Sequence, residues 1–595
     1  MMMKYNNLFK RSGSNNVPRL FPSVAKFLSK IVTKGVPWLY LTALVVAITF
    51  QSATPVPAVY AAGLTVNSTS DTAIAGDGLC TLREAIVNAN TDSDSTNGDC
   101  TAGSGDDTIT FSIAGEITLG SILPNITTNI TIIGPDEASL SINGNNAGSI
   151  FTVDSVGMLS LEKLTIANVY SNDYGAIYNN RGTVTATDIT FFNNKAKYAG
   201  GGIYNNFGSV AIIDSTFSGN SGWSSGGGIY NYAGTLTVSG STFSDNDSPY
   251  GSSNGGGGGG GIYNIYGTVT VTNSIFLNNT VDGYAVTGGG ISNEYLGTLR
   301  VIDSTFTGNS AHRGGGIYNG FSGKLNVENS TFSSNSATLE GGGISNEDTS
   351  RTPVIITNST FSGNTGGYFY GGGIYNSWGM MVITNSTFSG NSDAITNHNT
   401  YGVTVKNSIL ANSTWINCFG GIINGGHNLQ FPSGSGCDAY GIPTADPLLG
   451  PLQDNGGPTF THALQPGSPA IDAVPLEACA GVTTDQRGVT RPQGPACDIG
   501  AFEFFSPQKG LEDLIEKVRE LSESGVLNKG QGNALIAKLE AAIQQLGRGN
   551  DHVVINQLQA FINEAEAMIH SGILLPEEGQ PLIDAANEII TILSS

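Results

Sequence analysis

GGGIYNNFGSVAIIDSTFSGNS, residues 200–221, carries two marks: a triple glycine before Ile203, and Phe217 three residues ahead of Asn220. Both recur. GGGI appears seven times, with its isoleucine at 203, 229, 262, 291, 317, 344 and 374, and weaker copies flank the array at Gly175-Ala176-Ile177 and Asp393-Ala394-Ile395. FxxN keeps phase with it at Phe191, Phe217, Phe243, Phe276, Phe306, Phe332, Phe361 and Phe388, and Ile409 stands in the same place one step on. Successive isoleucines lie 21 to 33 residues apart, and the longest step contains the insert SPYGSSNGGGG. A fixed period of this size is the mark of a solenoid.

Inside one unit the period is two. GTLTV (234–238) turns Leu236 and Val238 inward and its threonines outward, and no stretch of the array has the apolar stripe of a helix. Isoleucine, valine, threonine, phenylalanine and tyrosine suit strands. Three short strands with their turns use up one unit, and parallel pairing stacks each unit on the next at about 4.8 Å. The expected fold is therefore a parallel β-helix. An array of four-stranded blades is the competing architecture, but the unit is too short for four strands. Glycine permits the sharp bend between strands. Ile is then the first inward residue, Phe fills one interior level in every coil, and the asparagines stack as hydrogen-bonded ladders.

GGGIYN with STFSGN resembles the paired GGA[IL] and FxxN repeats of chlamydial polymorphic outer-membrane proteins and, more broadly, right-handed parallel β-helix proteins of the pectin-lyase-like group. The resemblance covers about 175–412 and implies architecture more than activity, because one fold hosts many functions.

A solenoid needs its open ends covered. At the front, Thr81-x-x-Glu84 is a capping box opening a short helix with Leu82, Ala85, Ile86 and Ala89 on one face. CTLREAI (80–86), followed by Thr108-Ile109-Thr110-Phe111, resembles the CSLREA motif of exported bacterial β-helix proteins. NTDSDSTNGD (90–99) invites comparison with a calcium loop. Its glycine falls one place late and no Glu closes it, so a solvated acidic turn is the preferred reading and no cofactor is assigned. At the back, residues 446–473 and TDQRGVTRPQGPACDIGAFE (484–503) resemble the choice-of-anchor Q segment of bacterial surface proteins. LPEEG (575–579) has Glu578 where a sortase signal has Thr, and no apolar span follows it. After SPQKG (506–510) the period changes to 3.6: Leu511, Leu514, Ile515, Val518 and Leu521 form the first of four amphipathic stripes. This segment, with Phe561-Ile562-Asn563, resembles the FIMAH domain of exported bacterial proteins.

The first 61 residues hold seven Lys or Arg and no acids, and run into the apolar stretch Trp38–Phe50. Thirteen residues fall short of the roughly 20 that span a bilayer. The segment therefore reads as a secretory signal cleaved after Ala61, with an uncleaved anchor as the rival reading. Removing it leaves 18 Lys or Arg against 47 Asp or Glu, a formal charge of −29, compared with −22 for the whole chain. Such a surface repels nucleic acid and anionic lipid.

The six cysteines allow fifteen pairings. Their close couples, Cys80/Cys100, Cys418/Cys437 and Cys479/Cys497, together with export, favour three local loops. Each contributes about 3 kcal/mol in the chain-entropy view. Zinc ligation is the rival reading, disfavoured because no CxxC occurs.

The expected organisation is mainly β: signal peptide 1–61, front cap 62–105, right-handed parallel β-helix 106–413, back cap 414–505, linker 506–510 and a small all-α bundle 511–595. Catalytic candidates are few. Residues 175–412 hold eight Lys or Arg and twelve Asp or Glu. His312-Arg313 and Glu340 precede neighbouring GGGI marks and should lie one coil apart, most simply as an exposed ion pair of little energetic weight. Glu294 and Glu347 occupy matching places two coils apart. The tyrosines of IYN (178, 204, 230, 263, 318 and 375) form an outward column able to stack on sugars or, preferably, on one another. A non-enzymatic, monomeric surface stalk or adhesin is the expected function. Its partner would be a cell-envelope or matrix component, carbohydrate included. A polysaccharide lyase or glycoside hydrolase is the alternative.

Overall fold

The computed structural model describes residues 62–594 except 136–138, 250–256, 284–285, 348–351, 368–369, 400 and 480. The signal-like segment 1–61 lies outside the described residues, as does part of the SPYGSSNGGGG insert.

Each coil of the array repeats one path. In the coil that opened the sequence argument, Ile203–Asn206 is followed by Ser209–Ile213, Thr216–Ser218 and Ser221–Gly222. Every strand pairs in parallel with its counterpart in the coils before and after. The first strand of each coil builds an 11-stranded sheet running from Phe151–Val153 to Ile416–Gly420. The next two strands form a 25-stranded sheet bent at Asp214 (φ 47°) and its counterparts, and the short last strands make a seven-stranded one. Stacking starts early: Gly63–Val66 pairs with Asp107–Phe111.

The register places Ile177, Ile203, Ile229, Ile262, Ile291, Ile317, Ile344, Ile374 and Ile395 in one fully buried column. Beside it the rings from Phe191 to Phe388 stack with centroids 4.3–4.9 Å apart and planes within 14°. Asparagines deal with the buried polar groups. From Asn194 to Asn391 each side-chain amide donates to the next asparagine of the FxxN series at 2.9–3.0 Å. A second ladder, which the two-residue period did not single out, runs from Asn179 to Asn397 through the IYN and ISN asparagines at 2.7–2.9 Å. A buried amide left unpaired would cost several kcal/mol, roughly 1–3 by mutational measure, so the ladders are what make this core affordable.

The glycines follow from these contacts. Gly200 has φ +67°, and a side chain on it would meet the Ile203 carbonyl at 2.3 Å. At Gly208 a Cβ would sit 2.2 Å from Asn179 Nδ2, where the second ladder crosses the turn.

At the front, the Thr81/Glu84 capping box opens helix Leu82–Thr91, whose Leu82, Ala85, Ile86 and Ala89 are buried. The acidic loop behind it is used internally. Asp99 accepts from the Asp77 and Gly78 amides, Asp94 from Thr96, and Asp92 from Gly105. Among the described residues no group of three or more His, Cys, Asp or Glu is placed to hold a metal ion. The disulfides are Cys80–Cys100, Cys418–Cys437 and Cys479–Cys497.

The back segment does more than close the end. It folds along the flank of the last coils. Thr459 donates to the Asn329 carbonyl, Asn358 to Thr484 O, Thr360 to Gln486 Oε1, and Gln486 Nε2 to Thr331 Oγ1. His462 meets Ser362 Oγ at 2.9 Å. Thr331, Thr360 and Thr387 are consequently buried, whereas Thr216, Thr242 and Thr305 at the same repeat position are half-buried.

Helices Pro507–Glu523, Lys529–Leu546, Asp551–His570 and Pro576–Ser594 form the C-terminal bundle. The expected stripe residues Leu511, Leu514, Ile515 and Val518 pack with Leu535, Leu539, Val554, Leu558, Phe561 and Ile589. Among the described residues no helix is long and apolar enough to cross a membrane.

Candidate functional site: a tyrosine-lined face with a buried acid cluster

With Ile and Asn of each IYN turned inward, Tyr and the following residue project from the 11-stranded sheet. Tyr178, Tyr204, Tyr230 and Tyr263 follow one another at centroid distances of 5.7, 4.7 and 5.3 Å. They pack on one another, as the sequence led us to prefer, face to face between Tyr204 and Tyr230 and edge-on or tilted in the other two pairs, and Ala199 packs against them. Ser292 then replaces tyrosine; the column resumes at Tyr318, is interrupted again by Ser345 and continues at Tyr375. The tyrosines are outward-pointing yet largely covered, because the glycine turns fold back over the sheet edge. A cavity of about 360 Å³ remains, lined by Tyr198, Ser224, Tyr230, Tyr263, Ile265 and Tyr295, which falls within the size range of ligand sites.

Where tyrosine gives way to Ser292, a carboxylate enters. Glu294 is fully buried and accepts from Tyr263 OH (3.2 Å), Thr287 Oγ1 (2.8 Å) and Ser292 Oγ (2.9 Å). Burial raises its pKa. Two coils on, Glu347 accepts from Tyr318 OH at 2.9 Å and from Arg313 Nη1 at 2.7 Å. The Tyr318 ring lies over Gly320, where a Cβ would be 2.5 Å from the phenol oxygen.

The exposed Arg313–Glu340 pair expected from the sequence is corrected here. Arg313 Nε does lie 3.2 Å from Glu340 Oε2, one coil away, but Glu340 is only 7% exposed. The contact is too poorly aligned to be a hydrogen bond, so both atoms stay without a hydrogen-bonding partner. Burial, reinforced by the hydrogen bond that protonated Glu340 donates to the Glu347 carboxylate, pushes Glu340 up to about 8 despite the guanidinium. Arg313 and Glu340 thus come together with Glu347, the member that spacing alone did not supply. His312 directs Nδ1 to Thr338 Oγ1 at 2.7 Å.

This cluster can hold a proton near neutrality and fix three coils to one another. It is poorly arranged for cleavage. Arg313 is held between the Glu340 carboxyl and the Glu347 carboxylate and is not free to act as a base. Two carboxyl groups that share a hydrogen bond leave no room between them for a glycosidic linkage, which needs about 5–9.5 Å.

Sequence reasoning also missed a second aromatic set at the end of the IYN strand: Phe207, Tyr266, Tyr295 and Phe321 on the turn that follows it, and Tyr232, the last residue of its own strand, between the first two. The signal was an aromatic ahead of the glycine in NNFG, NIYG and NEYLG.

Residues 149–332 match the family model for a right handed beta helix region, and residues 511–591 match the FIMAH domain. The Chlamydia polymorphic membrane protein repeat matches residues 329–347, a stretch that includes Phe332, Glu340 and Glu347. Among curated proteins no sequence matches the chain. The chain thus folds as a right-handed parallel β-helix and carries stretches similar to the Chlamydia polymorphic membrane protein repeat and to the FIMAH domain, a combination that fits a bacterial surface or secreted protein.

Proposed function

We propose that the protein is a non-catalytic binding protein of the cell surface or its surroundings. In this reading the β-helix is a rigid stalk, its tyrosine-lined face meets the ligand, and the helical bundle attaches the molecule to an envelope or matrix component. The observation that carries the reading is the clamp on Arg313: the charged groups best placed for chemistry are held against one another, with Arg313 3.2 Å from Glu340 and 2.7 Å from Glu347. The likeness of the front motif to CSLREA and of the back segment to choice-of-anchor Q supports surface display. So does the acidic, disulfide-bonded make-up of the chain after its signal-like segment. The test is retention. Chain lacking residues 511–595 should bind envelope or matrix preparations less than the full chain does. Equal retention would move attachment to the β-helix or the back segment.

A further inference from the structure

The aromatics on the turn after four of the IYN and ISN strands are not required by the fold. Phe207, Tyr266, Tyr295 and Phe321 sit at φ 56°, 58°, 49° and 51°, a left-handed conformation that bulky side chains avoid and that glycine or asparagine adopts readily. Ala233 and Arg181 take the same turn position in neighbouring coils, so no ring is needed there. Three of the rings are exposed, Phe207, Tyr266 and Phe321 at 51%, 49% and 41%, and Tyr232 and Tyr295 between them are half-buried. Yet they are continuous. Phe207, Tyr232, Tyr266, Tyr295 and Phe321 follow at centroid distances of 5.2, 5.9, 5.7 and 4.6 Å, one ring per coil. Large exposed rings held repeatedly against backbone preference point to function more than to folding.

Their surroundings define the ligand. Alongside runs a register-matched column of hydroxyls, Thr183, Ser209, Thr235, Thr268 and Thr298. Within the two columns, charged residues stand at the ends, Arg181 5.6 Å over the Phe207 ring and Lys324 closing the hydroxyl column, while Arg300, two residues beyond Thr298, is paired with Glu328. The carboxylate nearest the middle, Glu294, is buried. A ridge one ring wide, repeating near the strand spacing of about 4.8 Å and edged with hydroxyls, suits an extended chain of pyranose rings rather than a flat protein surface. The ridge offers no row of cations, and the chain carries a net charge of −22, so a polyuronate is disfavoured and an uncharged chain is matched. The cavity beside the ridge shares Tyr295 with it and gives a branching sugar somewhere to go.

We propose that the ridge from Phe207 to Phe321 is a binding track for an extended, uncharged, equatorially linked glycan lying along the helix axis. This deepens the binding-protein reading and rests on it only in needing this face open. The full chain is titrated calorimetrically with cellohexaose, mannohexaose and xylohexaose, with hexagalacturonate as comparator. At least one neutral hexasaccharide should bind, and hexagalacturonate should not. The double variant Phe207→Gly/Tyr266→Gly should weaken binding about tenfold or more, while its melting temperature stays level or rises. The proposal is overturned if none of the three binds, if the variant binds as well as the parent, or if hexagalacturonate binds as tightly. A lower melting temperature in the variant would overturn the strain argument, and Tyr266→Ala would then test binding by itself. Deleting residues 511–595 should leave glycan binding intact, so failure of retention and failure of the track are separate results.

Discussion

With one oxygen beside Arg313 and a hydrogen bond donated to Glu347, buried Glu340 keeps its proton up to about pH 8. Its folded pKa lies above the ordinary value of 4.5, so the stability tied to it is complete below that value and is lost as pH rises through about 8. Glu340→Gln keeps the neutral form at every pH. Between about pH 6 and about pH 9 its melting temperature should fall less than the parent's, and equal falls would contradict the assignment. In the core, Phe276 is fully buried between Phe243 and Phe306. Phe276→Ala should cost about 3–5 kcal/mol in denaturant unfolding, and a cost below about 1 kcal/mol would argue against the stack. The Ile and Phe columns were legible in the sequence because identical residues recur in phase with the coil. The burial of Glu340 was not, because it depends on how a turn folds back over the sheet and on Glu347, a partner that Arg313 reaches across 34 residues.

At the scale of elements, the back segment was readable as a cap from its prolines, glycines and cysteines, but its grip on the flank was not. Gln486 finds Thr360 and Thr331 at separations of 126 and 155 residues, and no local pattern announces such contacts. Gln486→Ala leaves buried hydroxyls short of a partner and should cost about 1–3 kcal/mol. Hydrogen exchange should quicken in 459–462 and 484–486, and unchanged protection there would refute the clamp. Inside the same segment, Arg491 is buried with Glu503 at 2.7 Å and Arg487 with Asp485 at 2.7 Å, so the charged part of TDQRGVTRPQGPACDIGAFE serves the segment's own packing. The C-terminal helices were clearer, since each stripe announces itself at a period of 3.6 and the four share one core. Expressed alone, residues 506–595 should be soluble, helical and cooperative in melting; a non-cooperative melt would mean that the bundle depends on the rest of the chain.

Across the whole molecule, three local disulfides staple the two ends while the cysteine-free array between them relies on repetition: stacked rings, two amide ladders and parallel pairing in every coil. Such a body is stiff, and its outward face carries aromatics and hydroxyls more than free charge. That is why we read it as a scaffold for binding. The claim that it does not cleave what it binds meets its most direct test when the purified full chain is incubated with polygalacturonate, alginate and the neutral hexasaccharides, and new reducing ends and unsaturated products are measured. The account expects neither above background. Cleavage by the parent chain that Arg313→Ala or Glu340→Ala abolishes, with the fold intact, would contradict it and make the acid cluster an active site.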